Sequence, residues 1–122
     1  MANKFKLVYI AGPFRGDIEA NIKAAQQMAG QVLHKYGSKG IFPIVPHNLS
    51  HGFYAKVEGC SEEEYWVPGT LEVVRRTDAV LLVFPTADEV SSGTKGEVEE
   101  AGRLGIPVFR QLSDDILTIL EE

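Results

Sequence analysis

Leu7-Val8-Tyr9-Ile10-Ala11 is an apolar run without alternation, the pattern of a strand covered on both faces. Gly12-Pro13-Phe14-Arg15-Gly16-Asp17 breaks the run. The period then changes. Ile22, Ala25, Ala29, Val32 and Leu33 recur at helical spacing, which predicts an amphipathic helix over Ile18–Tyr36. Asp17 reads as its N-cap, and Gly37 and Gly40 end it. Ile41–Val45 predicts a second short strand, which Pro43 assigns to a sheet edge. Pro68 suits the first position of a helix that runs to Arg76 and buries Leu71 and Val74. Ala79–Phe84 is the strongest strand signal, and Ile106–Phe109 predicts a fourth. Residues 85–92 read as a loop. A helix follows Gly93, turns Val98 and Ala101 inward, and stops at Gly105. Asp114–Leu120 predicts a terminal helix carrying Ile116, Leu117, Ile119 and Leu120. Only residues 46–64 lack a clean period. They read as a long polar loop with scattered aromatics, and long connections are often functional.

Strands and helices therefore alternate through the chain. This predicts an α/β fold: a doubly wound, mainly parallel sheet of four or five strands flanked by helices, Rossmann/flavodoxin-like. The length of 122 residues predicts one domain over 1–122. Ligands in such sheets bind beyond the carboxyl ends of the strands. Three segments meet there: Gly12–Asp17, Pro46–Glu64 and Pro85–Thr94.

Charge narrows the partners. Twelve Lys and Arg stand against 17 Asp and Glu, for a net charge of -5, and the longest basic run is Arg75-Arg76. A surface that tracks nucleic-acid phosphates is not expected. A small anion is still accommodated, because a nest of backbone N–H groups binds one whatever the total charge. Cys60 is the only cysteine, so no intrachain disulfide forms, and a reducing compartment is compatible. KFKLVYIAG is too short for a leader, and no apolar run approaches the roughly 20 residues of a membrane helix. A cytoplasmic protein without membrane contact is the expectation.

The first loop lacks Gly-x-Gly-x-x-Gly and the Lys-Ser/Thr of a P-loop. It is either a tight turn or a device that brings Arg15 to an anion. Tyr9 is either a core residue or a hydroxyl aimed at the pocket. His47 and His51 are four apart, but the Pro46 and Gly52 flanks disfavour a helix and no third ligand is evident. No metal or other cofactor is expected. His47, directly after the second strand, is a pocket candidate. Glu62-Glu63-Glu64 reads as a solvated face, and Asp78 closes the turn before the third strand. Cys60 has no base within sequence reach. The stretch SSGTKGEVEEAG, Ser91–Gly102, carries two readings. Thr94-x-x-Glu97 fits a capping box, with Ser91, Ser92 and Gly93 as the approach. The same Ser/Gly-rich turn before a helix N-terminus fits an anion site, with Glu97 as a carboxylate at the mouth of the pocket.

Tyr9-x-Ala11-Gly12-Pro13, Asn21, Pro46-His47, Thr77-Asp78-Ala79 and Ser91-x-Gly93-x-x-x-Glu97-x-x-x-Ala101 together resemble the nucleoside 2-deoxyribosyltransferase superfamily over residues 8–109. That family includes deoxyribosyltransferases, deoxynucleoside 5'-monophosphate N-glycosidases and small members without assigned activity. The resemblance implies that Glu97 is a nucleophile, that Tyr9 lies in the sugar pocket and holds it, and that Ser91 binds a 5'-phosphate approached by Phe14-Arg15-Gly16. It implies cleavage of the N-glycosidic bond of a nucleoside or nucleotide through a covalent sugar intermediate, by retaining glycoside chemistry. It also implies a homodimer or higher assembly, in which Ser113 and Thr118 are the hydroxyls available to complete a neighbour's site. The chain departs from the pattern at Thr70, where the family usually has an aspartate. Glu72 or one of Glu62–Glu64 is then the candidate substitute. That departure keeps a second function in view, a non-catalytic nucleotide-binding or assembly module. A receiver-like regulatory domain ranks last, since the chain lacks the acidic pair after the first strand and a clear lysine partner near the fourth.

Overall fold

The structure, a computed structural model, describes residues 5–50 and 62–121. Its elements are β1 (Lys6–Ala11), α1 (Ile18–Tyr36), β2 (Ile41–Ile44), α2 (Pro46–Ser50), α3 (Val67–Arg75), β3 (Ala79–Leu82), α4 (Ala87–Val90), α5 (Ser92–Leu104) and β4 (Val108–Phe109). A π-helical turn over Glu62–Trp66 leads into α3, and a 3-10 helix spans Asp114–Glu121. The four strands form one parallel sheet in the order β2-β1-β3-β4. The chain winds one way from β1 to β2 and the other way to β3 and β4, so the switch point lies beside β1. This is a doubly wound, flavodoxin-like sheet, with helices on both faces.

Strand pleat sorts β1 between the two faces. Val8 and Ile10 pack with Ala25, Ala29 and Val32 of α1 and with Ile116 and Ile119 of the 3-10 helix. Tyr9 and Ala11 face the other way, among Val74 of α3, Ala87 of α4 and Ala101 of α5. Covering on both faces explains why β3 and β1 from Leu7 onward are continuous apolar runs. Asp17 caps α1 by accepting from the Ala20 N–H at 3.1 Å. Asp78 pins the start of β1: its Oδ2 accepts from the Leu7 N–H at 2.8 Å, and its own N–H donates to the Leu7 carbonyl at 2.8 Å. Pro43 lies on edge strand β2, where a missing N–H costs least.

Gly12 follows β1 against the neighbouring strand's exit. A Cβ built there would lie 2.6 Å from Val83 Cγ2. Gly12→Ala is expected to cost about 1–3 kcal/mol of overpacking, checked by chemical denaturation. Shortening the opposing side chain in Gly12→Ala/Val83→Ala should restore most of the loss, and an equally unstable double variant would refute the contact as cause.

The structure revises several boundaries. Pro46–Ser50 is helical, against the expectation from the Pro46 and Gly52 flanks; Pro46 initiates α2 and supplies no obstacle to the turns that follow it. Residues 85–92 are not all loop, because α4 makes one turn around buried Ala87. α3 begins one residue before Pro68 and continues the π-helical turn. The third strand stops at Leu82 and the fourth starts at Val108. The terminal segment is 3-10 rather than α-helical. His51, Cys60 and the side chains of Glu62 and Glu63 lie outside the described residues. Among the described residues, no helix is long and apolar enough to cross a membrane, and no group of three or more His, Cys, Asp or Glu is placed to hold a metal ion.

Candidate functional site

The carboxyl ends of β1, β2 and β3 open into a cavity of about 460 Å³. Tyr9, the loop Gly12–Arg15, Pro46 and His47, Trp66 and Val67, Thr70, and a run from Val90 to Thr94 with Glu97 line it. Ten of the eleven candidate residues from the sequence therefore come together: Tyr9, Gly12, Phe14, Arg15, His47, Thr70, Ser91, Ser92, Gly93 and Glu97. Gly16 does not line the cavity; it turns the loop toward α1 at a φ of 91°, a conformation suited to glycine.

The floor is a non-local pair. The Tyr9 hydroxyl donates to Glu97 Oε2 at 2.6 Å, across 88 residues of chain. Two local facts bring them together. Tyr9 sits on the face of β1 that α5 covers, and Thr94, Glu97 and Ala101 share the helix side turned toward it. Burial lifts the Glu97 carboxyl from the usual 4.5 to about 7, against the opposing pull of the Tyr9 and Thr70 hydroxyls. Burial also raises the Tyr9 phenol, with the Glu97 charge adding to it, so Tyr9 keeps its proton. The Thr70 hydroxyl stands beside both groups and donates to the Val67 carbonyl at 3.1 Å.

The capping box at Thr94 is corrected by this geometry. The N-cap is Ser91, in extended conformation, and its Oγ accepts from the Thr94 N–H at 3.2 Å. The Thr94 hydroxyl donates back to Ser91 Oγ at 3.1 Å. α5 thus starts three residues earlier than a Thr94 cap requires. Glu97 falls in its second turn, too deep to reach the orphan N–H groups of the first, and its carboxylate turns to Tyr9 instead. Glu72 does not line the cavity. It is exposed and engaged with Arg75 at 2.8 Å and Arg76 at 2.9 Å. Among the described lining residues, Glu97 is the one carboxylate.

Strand order arranges the rest. Neighbouring strands are about 4.8 Å apart. The β3 side offers the first turn of α5, with Ser91, Ser92 and Gly93, where unsatisfied N–H groups and the helix dipole favour an anion. The β1 side brings the Phe14-Arg15 turn, held because the Asn21 amide donates to both carbonyls, at 3.2 and 2.7 Å. The β2 side is aromatic. His47 is buried, its ring 5.9 Å from that of Phe14, and its Nε2–H donates to the Pro13 carbonyl at 2.9 Å. Burial pushes the His47 pKa below its ordinary value, against the Pro13 and Gly12 carbonyls, so the ring is neutral at pH 7. His47 Nδ1 and Trp66 Nε1 are buried without a partner among the described residues, and buried polar atoms rarely stay unpaired.

Pro13, Pro46, Trp66, Val67, Val90 and Thr94 complete the lining and were not among the sequence candidates. The sequence signal for Trp66 and Val67 was their place just ahead of Pro68. Val90 had none, because α4 is too short to give a period.

A family described as "Domain of unknown function (DUF7768)" matches residues 6–111. Comparison with curated proteins gives no match. The crystal structure of a conserved protein from Enterococcus faecalis V583 is similar with a TM-score of 0.64 and 20% identity, covering 85% of this chain and 61% of that one. This chain spans about three fifths of that structure's length, and the likeness shows a shared fold.

Proposed function

The chain belongs to the family described as a domain of unknown function (DUF7768), and we propose that it is an N-glycosidase or deoxyribosyltransferase that cleaves the N-glycosidic bond of a nucleoside or nucleoside 5'-monophosphate. The fold is compatible with nucleotide-binding and catalytic superfamilies. The observation that carries the proposal is the 2.6 Å bond from Tyr9 to Glu97 on the floor of the switch-point cavity. It supports the roles implied by the resemblance to the nucleoside 2-deoxyribosyltransferase superfamily.

In this reading Glu97, ionised, attacks C1' of the sugar. The C1'–N bond breaks, its electron pair leaves with the base, and the base takes up a proton from solvent water. Charge developing on the sugar is stabilised by the carboxylate beside it. Water, or the ring nitrogen of a second base, then attacks C1' and releases Glu97. Tyr9 holds the carboxylate in line throughout, and the phosphate occupies the first turn of α5 near Arg15. The aromatic β2 side takes the base.

A second reading is a non-catalytic nucleotide-binding module. It is favoured by Thr70, which supplies a hydroxyl and no second carboxylate. The deciding experiment incubates the purified protein with deoxynucleosides and with their 5'-monophosphates and follows free base by chromatography. Release of base supports the enzyme. Saturable binding of the monophosphate with no release over days supports the module.

A further inference from the structure

The anion end of the cavity hangs on a segment with little to hold it. α4 is one turn of four residues, and its Thr86 N-cap makes no side-chain bond. One turn is not stable by itself. Two anchors fix it from outside. Ala87 is fully buried in the core. The second is Arg110, just beyond β4. Its Nη1 donates to the Pro85 carbonyl at 2.9 Å and to Asp88 Oδ1 at 2.9 Å, and its Nη2 donates to Asp88 Oδ2 at 2.8 Å. The guanidinium thus grips the connection at both its entrance and its helical turn. Ser91, the N-cap whose hydroxyl organises the first turn of α5, directly follows Val90, the last residue of α4.

We propose that Arg110, clamped on Asp88 and Pro85, is a positioning residue for the anion subsite: it fixes where Ser91 stands and so how tightly a ligand phosphate is held, without touching the ligand. Three points favour this over an ordinary surface ion pair. The fork is bidentate, the geometry in which an exposed pair can contribute beyond the usual small amount. The Asp88 side chain is only 14% exposed. The additional bond to a carbonyl ties the guanidinium to the backbone of the segment that leads into the cavity. Lysine cannot reproduce this, having no planar fork.

The inference rests on reading the cavity as a nucleotide site. Its test measures binding, so that it stands apart from turnover. Calorimetry compares a deoxynucleoside 5'-monophosphate, the matching nucleoside and inorganic phosphate on the wild type, Arg110→Gln, Arg110→Lys and Asp88→Asn. The glutamine variant is expected to lose about tenfold in affinity for the monophosphate and for inorganic phosphate, while the nucleoside changes by less than about twofold, since three charge-assisted bonds are removed from the phosphate side alone. Lysine should recover part of the loss. Asp88→Asn, which keeps the Pro85 bond, should show the same selectivity at smaller size and remains informative if the Arg110 variants do not fold. Equal weakening of nucleoside and monophosphate, unchanged phosphate binding, or a wild type that binds neither phosphate compound would overturn the clamp. Selective loss in a protein that never releases base leaves the clamp standing and removes the glycosidase reading. Base release with no selectivity does the reverse.

Discussion

Glu97→Gln is expected to lower base release by at least about a thousandfold, because the amide cannot form the covalent sugar intermediate. The same variant is expected to be more stable than the wild type at alkaline pH. The sign follows from linkage. The Glu97 carboxyl titrates near 7 when folded, against 4.5 ordinarily, so between those values the folded state holds the extra proton. The contribution of the protonated carboxyl is fully present below pH 4.5 and is lost as pH rises through about 7. The whole swing is at most about 3 kcal/mol. Glutamine removes the swing and still accepts from the Tyr9 hydroxyl. Denaturant unfolding at pH 4 and pH 8 should show near equality at the first and a more stable variant at the second. A variant that loses stability at pH 8 would return Glu97 to a structural role, whatever its activity.

The second large effect is in the pH profile. Attack needs the anion, so kcat/KM of the wild type should rise with pH to a plateau, with its midpoint near 7. Tyr9→Phe removes the hydroxyl that stabilises that anion, and the midpoint should move to higher pH. A hydrogen bond to a charged group contributes about 1.5–3 kcal/mol, so the loss at pH 6 should be roughly ten- to a hundredfold. It should shrink as pH rises past the new midpoint. An unchanged midpoint with a uniform drop at every pH would mean that Tyr9 does not set the charge state of Glu97.

These two residues also mark where sequence pattern stops being informative. The bounds of α1 were legible because its stripe, its Asp17 cap and its closing glycines agree, although Leu33, counted in the stripe, is exposed and Tyr36 is buried instead. The edge position of β2 could be read from Pro43, and the core of β1 and β3 from uninterrupted apolar runs. Single-turn elements could not. α2 and α4 are too short to show a period, and α4 is held by Arg110 from beyond β4. The cap of α5 was misplaced because Ser91 and Thr94 are both good caps, and choosing between them depends on where α4 delivers the chain. Part of the cavity lining, Gly12–Arg15, His47 and Ser91–Thr94, was legible as loop segments at the carboxyl ends of the strands, whereas Tyr9, Thr70 and Glu97 stand on a strand and two helices. The bond between Tyr9 and Glu97 was not, because no local pattern reports a contact spanning 88 positions. The resemblance suggested the pair, while strand pleat and helix rotation supply its physical cause.

The placement of Ser91 at the head of α5 makes that helix a ruler. Ser91 and Glu97 are six residues apart on one rod, and at about 1.5 Å per residue the rod sets roughly 9 Å between them. Side chains can adjust by rotating; the rise of a helix cannot. A ligand that engages both ends must bridge that interval, so size selection would reside in backbone geometry. Lengthening the helix between the two by a single residue would both stretch the interval and swing the carboxylate about 100° away from Tyr9, a change no rotamer can reverse.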